Sequence, residues 1–211
     1  ELQHKIWLSE AKTGWVSANF SKNNTILDLG SGPGTCSKEL AKIVGTGGKI
    51  ISVDKSSHYI QHIEKNLQNK YPQIIPICTS FEDLNLEPNS IDHMFCRWSL
   101  AWVQNPNKII DNIKNFLKKG GKMVFHEYYD WSTHQIFPFK ENIYKCIKIA
   151  LKSFKESDFE IDIGAALPQL LFDMDFNIIS TRLMPKLARP GSKEWNWPKT
   201  FYYNYFPKLV K

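Results

Sequence analysis

The 211-residue sequence is short of the features that mark several protein classes. Its four cysteines, Cys36, Cys78, Cys96 and Cys146, include no C-x-x-C pair, and no histidine cluster accompanies them. That excludes the common zinc and dithiol motifs, so no metal is expected. The cysteines read as buried, reduced thiols, which suits a cytoplasmic location. No run of about 18 apolar residues exists, which excludes a membrane-spanning helix, and no membrane partner is expected. The segment Glu1-Leu2-Gln3-His4-Lys5 lacks the basic-then-apolar order of a secretory leader. With no initiator methionine, further residues are expected upstream. The chain also has no internal repeat, linker or low-complexity tract.

Arginine is scarce as well. The formal charge is +6, yet Arg97, Arg182 and Arg189 are the only arginines. Arginine is the better residue for forked recognition of phosphates and base edges. The lysines are scattered over helix faces beside many Asn and Ile, so the charge reads as solvated surface and a nucleic-acid partner is disfavoured.

What is present is a repeated alternation. Short runs rich in Ile, Val and Phe fall at Thr25–Leu29, Lys49–Val53, Ile74–Cys78, Ile91–Cys96 and Lys122–His126, with a sixth near Phe176–Leu183. Nearly continuous apolar strands suit a sheet covered on both faces. Helical segments separate them: Thr35–Val44 stopped by Gly45, Ser56–Lys70 opening on two hydroxyl residues, and Pro106–Lys118 closing at Gly120-Gly121. Strands alternating with such helices predict an α/β fold with a mostly parallel, twisted sheet and helices on both faces. After the fifth strand the alternation breaks. Phe139–Phe154 reads as an amphipathic helix, and Gly164–Met174 as another. The expectation is one domain over 1–211, with a core of about 22–127 and 160–185 and a helical lid or substrate segment at about 128–159. An aromatic segment at 190–211, helix or loop, suits a homodimer interface.

The densest chemical signal is Ile26-Leu27-Asp28-Leu29-Gly30-Ser31-Gly32-Pro33-Gly34. A buried strand runs into a turn with three glycines, and a helix follows. Glycine tolerates φ > 0 and lets a ligand approach the backbone, and a helix start offers free N–H groups. A phosphate-binding loop of the G-x-x-x-x-G-K-[ST] type is absent. The dinucleotide pattern G-x-G-x-x-G is also broken, because Thr35 stands where its third glycine belongs. Asp28, two residues before Gly30, would repel a pyrophosphate but attract an ammonium group. S-adenosylmethionine carries an ammonium and a sulfonium and no phosphate. Asp54 ends the next strand, 24 residues after Gly30, where a carboxylate can take hydrogen bonds from a ribose diol.

The ordered series ILDLGSGPGT, ISVDKS, CTSFEDL, SIDHMFCRWSLAWV and LKKGGKMVFHEY resembles the motifs of class I S-adenosylmethionine-dependent methyltransferases of the small-molecule type, over about Thr25–Tyr128. The resemblance implies a three-layer Rossmann-like sandwich. It implies that Asp28, Gly30, Ser31 and Gly32 line the methionine moiety, that Asp54 holds the ribose with Lys55 beside the adenine, and that Ser80 and Phe81 flank the adenine. Cys96 and Arg97 would face the methionine portion, with Trp98 nearby. The family usually ends in an antiparallel strand pair. Here only Phe176–Leu183 is a candidate, so either the final strand is missing or the aromatic tail replaces it.

Methyl transfer from a sulfonium needs a base only when the acceptor must lose a proton. His126 and Glu127, at the end of the fifth strand, are the best-placed candidates, and Trp98, Tyr128, Tyr129 and Trp131 suit an apolar acceptor pocket. The fourth strand ends Phe95-Cys96-Arg97-Trp98, without the Pro-Pro signature of amino-methylating enzymes or a Pro-Cys nucleophile. A small-molecule acceptor is therefore preferred. An RNA or protein methyltransferase, a non-catalytic cofactor-binding protein and a nicotinamide-dependent oxidoreductase remain as alternatives.

Overall fold

The computed structural model describes residues 2–156 and 159–210. Five strands pair in one all-parallel sheet of order β3-β2-β1-β4-β5: β1 Thr25–Leu29, β2 Lys49–Asp54, β3 Ile74–Cys78, β4 Ile91–Arg97 and β5 Leu117–His126. The order follows from the apolar pattern. Ile26, Leu27 and Leu29 of β1 have no exposed surface, as a central strand covered on both faces requires. The register aligns Leu29 with Val53 on one side and with Cys96 on the other, so the carboxyl ends of β1, β2 and β4 lie side by side.

Three predicted crossover helices form: α2 Thr35–Val44, α3 Ser57–Ile63 continuing through a π turn to Gln68, and α4 Pro106–Phe116. Each has a local reason to start or stop. Gly45 at φ 68° ends α2, the Ser56 hydroxyl accepts the Tyr59 N–H at the start of α3, and Pro106 opens α4. The apolar stripe of α4, Ile109, Ile110, Ile113 and Phe116, is buried. The fifth strand starts at Leu117, earlier than its apolar run suggests, because Leu117 pairs with Ile91 across a register shift.

A helix not foreseen from the sequence, α1 Leu2–Ser17, precedes the sheet. Its Ala11 and Trp15 join the core, and Trp15 meets Phe95 edge to face at 5.3 Å between centroids.

The chain divides into two compact units. One holds Leu8–Leu100 and Asn105–Glu127, and so the sheet. The other gathers Glu1–Trp7, Ala101–Gln104 and Tyr128–Lys211, so that residues 160–185 cluster with 128–159 and the aromatic tail. This second unit contains α5 Glu141–Lys155, α6 Ile163–Asp173 and α7 Lys193–Tyr205. It is held by rings: Phe154 stacks on Tyr205 at 4.8 Å, Phe201 lies parallel to Tyr205 at 5.5 Å, and Trp131 packs on Phe154 and Phe201. Its backbone joins at two points, where the Gly164 N–H donates to the Tyr128 carbonyl and the Trp131 N–H to Asp162.

The sixth strand expected at Phe176–Leu183 does not form. A strand exists only by pairing its N–H and C=O groups with a neighbour. Among the described residues no strand pairs with this segment, and Ile179 and Leu183 stay more than half exposed. No described helix is long and apolar enough to cross a membrane.

Candidate functional site

The three glycines after β1 have three different surroundings. The Gly30 and Ser31 N–H groups both donate to the Val53 carbonyl at 2.9 Å, which pins the turn to the end of β2. Gly30 adopts φ +74°, and a side chain there would overlap the Ser99 hydroxyl and press on Phe81. Gly34, at φ +78°, lies against Ile63 and Leu67. Gly32 has φ +53° and nothing within 4 Å of the place a Cβ would take, so its backbone is open to an approaching group.

Asp54 ties this turn down from below. One carboxylate oxygen accepts the Gly32 N–H and the other accepts the Ser56 N–H, each at 2.9 Å. Each oxygen has a further lone pair, so the carboxylate can take ligand hydroxyls while holding the loop.

Asp28 is buried beneath the turn at 2% exposure, and its Oδ2 accepts the Ser37 hydroxyl at 2.5 Å. Burial pushes its carboxyl up to about 6, against the Ser37 hydrogen bond and the Arg97 charge, which both pull it down. A carboxylate that is costly to ionise without a partner suits a site for a cation. In the turn that follows β1, the Ser31 hydroxyl is buried with no hydrogen-bond partner among the described residues. Buried polar atoms are normally satisfied, so an orphan hydroxyl next to an open glycine is a candidate point for a ligand to complete the bonding. The residues present therefore fit S-adenosylmethionine: a buried carboxylate for its ammonium, an open backbone at Gly32, and a strand-end carboxylate for its ribose.

The end of β4 closes the other side. Cys96 is wholly buried, and burial, reinforced by the Glu127 carboxylate, holds its thiol well above its ordinary range. A thiol kept protonated is no nucleophile. The Arg97 guanidinium lies over the Trp98 ring at 5.0 Å, and Trp98 packs on the buried His126 at 5.1 Å. Trp98 adopts φ +52°, a left-handed conformation that costs a bulky residue about 1–3 kcal/mol. Its N–H donates to the His126 carbonyl at 3.0 Å. Glu127 receives three donors on one oxygen: the Ser99 and Leu100 N–H groups at 2.9 and 3.0 Å and the Cys96 thiol at 3.5 Å.

Of the residues singled out in the sequence, Asp28, Gly30, Ser31, Gly32, Asp54, Phe81, Cys96, Arg97, Trp98, His126 and Glu127 belong to the sheet unit at these strand ends. Lys55 is exposed, and the Ser80 hydroxyl is engaged with Asp83 in a local turn at 2.7 Å. Tyr128, Tyr129 and Trp131 belong to the other unit, where Tyr128 and Trp131 pack at 5.0 Å and Tyr129 is half exposed. Two residues were missed. Ser37 is a lone hydroxyl on the buried face of α2, a polar residue at an apolar position. Ser99, whose hydroxyl bonds the Arg97 carbonyl at 3.1 Å and reaches Gly30 at 3.4 Å, carries no signal of its own in the sequence.

Residues 20–155, well over half of the chain, match the family model described as a methyltransferase domain. A 2-phytyl-1,4-naphtoquinone methyltransferase of Trichormus variabilis is 27% identical over 66% of this chain and 60% of its own length. A ubiquinone/menaquinone biosynthesis C-methyltransferase of Wigglesworthia glossinidia brevipalpis is 28% identical over 67% of this chain and 54% of its own. The chain thus spans only about half to three-fifths of the length of these relatives. Among solved structures, a SAM-dependent methyltransferase from Aquifex aeolicus superposes with a TM-score of 0.50 at 20% identity, over 61% of this chain and 71% of that one. At that identity the likeness supports the fold alone.

Proposed function

Because the chain belongs to the methyltransferase domain family, we propose that it transfers a methyl group from S-adenosylmethionine to a small-molecule acceptor. The observation that carries this reading is the buried Asp28 carboxylate on β1 followed by a turn with an orphan Ser31 hydroxyl and an open Gly32 backbone. That combination suits a cationic amino-acid group and repels a pyrophosphate. The names of the two relatives, one a naphtoquinone methyltransferase and one a C-methyltransferase of ubiquinone/menaquinone biosynthesis, support a small-molecule acceptor over RNA or protein.

When bound, S-adenosylmethionine supplies an already activated methyl group on a sulfonium. The protein's work is then to bind, orient and exclude water. Asp28 takes the ammonium, and its ionisation is stabilised by that charge. Ser31 and Gly32 receive the methionine backbone. Asp54 accepts ribose hydroxyls on the lone pairs left free by Gly32 and Ser56, while Lys55, Ser80 and Phe81 border the adenine. Cys96 gives a neutral wall, and Arg97 provides the cation that complements a carboxylate. His126, behind the Trp98 ring, is the residue available for a proton where the acceptor must lose one.

Calorimetry with S-adenosylhomocysteine and with NAD tests this directly. The first is expected to bind and the second not, and binding of NAD alone would overturn the reading. Asp54→Ala should weaken S-adenosylhomocysteine binding by about 1.5–3 kcal/mol, through lost hydrogen bonds to a charged acceptor and a loosened Gly32. Unchanged affinity in a folded variant would remove Asp54 from the site.

A further inference from the structure

Resting on that reading of the site, we infer that Glu127 is a positioning residue: its carboxylate holds the turn after β4, and with it the left-handed Trp98 and the Ser99 hydroxyl over Gly30. The residue does this through hydrogen bonds rather than by moving a proton.

The geometry has three parts. First, Trp98 sits at φ +52°, where a side chain with a Cβ is disfavoured, so something must hold it there. Second, the residues that could relax it are clamped from both sides. The Trp98 N–H is bound to the His126 carbonyl at 3.0 Å, and the next two N–H groups, of Ser99 and Leu100, both point at a single Glu127 oxygen, at 2.9 and 3.0 Å. Consecutive N–H groups converging on one oxygen make an anion-binding concavity, here filled by the protein's own side chain. Third, the clamped turn reaches the cofactor side. The Ser99 hydroxyl fills the space above Gly30, lies 3.4 Å from its carbonyl and bonds the Arg97 carbonyl at 3.1 Å. Releasing Glu127 would therefore free Ser99 to move off the glycine turn and the Trp98 ring to leave His126 and Arg97. The same oxygen, Oε1, also accepts the Cys96 thiol at 3.5 Å, so the turn and the end of β4 are tied to one carboxylate.

Glutamine and alanine separate the two roles, because the Gln carbonyl oxygen can still accept both N–H groups but cannot take a proton. Amide hydrogen exchange followed by NMR is the readout. Glu127→Ala should speed exchange at Ser99 and Leu100 by about tenfold or more while amides of β1 keep their protection, and Glu127→Gln should stay within about threefold of the unmodified chain. S-adenosylhomocysteine affinity should follow the same order, falling about tenfold in the alanine variant and little in the glutamine one. If the alanine variant does not fold, Glu127→Asp, one methylene too short to reach the turn, takes its place with the same expectation. Unchanged exchange at Ser99 and Leu100, a glutamine variant as impaired as the alanine one, or fast exchange with full ligand affinity would each overturn the proposal. Failure of the unmodified chain to bind S-adenosylhomocysteine, with the exchange pattern intact, would instead overturn the methyltransferase reading and leave only the turn.

Discussion

Asp28→Asn should make the ligand-free protein more stable at pH 8 and nearly abolish its hold on the cofactor. The stability half follows from linkage. Burial raises the Asp28 carboxyl to about 6 in the folded chain, from 3.8 when exposed. Below about pH 4 the group is protonated in both states and contributes no difference. Between about 4 and 6 the folded chain holds a proton that the unfolded chain has lost, so stability falls as pH rises. Above 6 the whole penalty is present, roughly 2–3 kcal/mol at 1.36 kcal/mol per unit. Asparagine has the same shape, keeps an oxygen for the Ser37 hydroxyl and carries no charge. Chemical denaturation of both proteins from pH 4 to 8 should show the two curves converging at the acid end and separating above pH 6, with the variant on top. A variant that is less stable at pH 8 would show that the carboxylate is not held at a penalty.

The binding half has the opposite sign. A buried carboxylate facing an ammonium is worth about 2–4 kcal/mol when one partner is removed, a loss of roughly thirty- to a thousand-fold in affinity. In the unmodified chain S-adenosylhomocysteine affinity should also decline as pH falls through about 6, because the protonated acid no longer attracts the ammonium. Calorimetry at pH 5 and 7.5 reads this, and an asparagine variant that binds as tightly as the unmodified chain would remove Asp28 from the ammonium site. A residue that weakens the empty fold and is needed for the filled one is what a binding site looks like energetically.

The parallel sheet was legible because its strands are short, apolar on both faces and bounded by glycine, proline or hydroxyl residues; β1, β3 and the ends of β2 and β4 differ from the runs in the sequence by at most one residue. Two elements were not. Helix α1 buries Trp7, Ala11 and Trp15 at spacings of four, a helical stripe, but the exposed Val16 beside Trp15 blurs the polar face that makes such stripes visible. The segment Phe176–Leu183 has the composition of a strand and none of the pairing, since pairing depends on a neighbour and not on the segment itself. For the candidate site, Asp28, Gly32 and Asp54 stand out by type and spacing, and the structure ties two of them together, Asp54 accepting the Gly32 N–H. The Glu127 turn could not. It joins residues 27 positions apart through backbone N–H groups, which leave no trace in side-chain identity.

The glycine turn gives the second large effect, because neighbouring glycines should fail in different ways. Gly34→Ala should cost about 2–5 kcal/mol of stability. Its φ of +78° is disfavoured by about 1–2 kcal/mol for any residue with a Cβ, and that atom would lie 2.7 Å from Leu67 and 2.8 Å from Ile63. Ile63 is fully buried, so it has no room to retreat. That loss is a large part of the 5–15 kcal/mol available to a typical domain. Gly32→Ala should cost only about 1–2 kcal/mol, for its φ of +53°, since nothing lies within 4 Å of the new methyl group. In the proposed site the same open space takes the cofactor's backbone, so this mild substitution should lower S-adenosylhomocysteine affinity by about tenfold or more. Thermal unfolding and calorimetry on the pair separate the two jobs. Full affinity in Gly32→Ala would mean that the open side of the turn does not face the cofactor, and a stable Gly34→Ala would mean that Ile63 and Leu67 do not lock the turn in place.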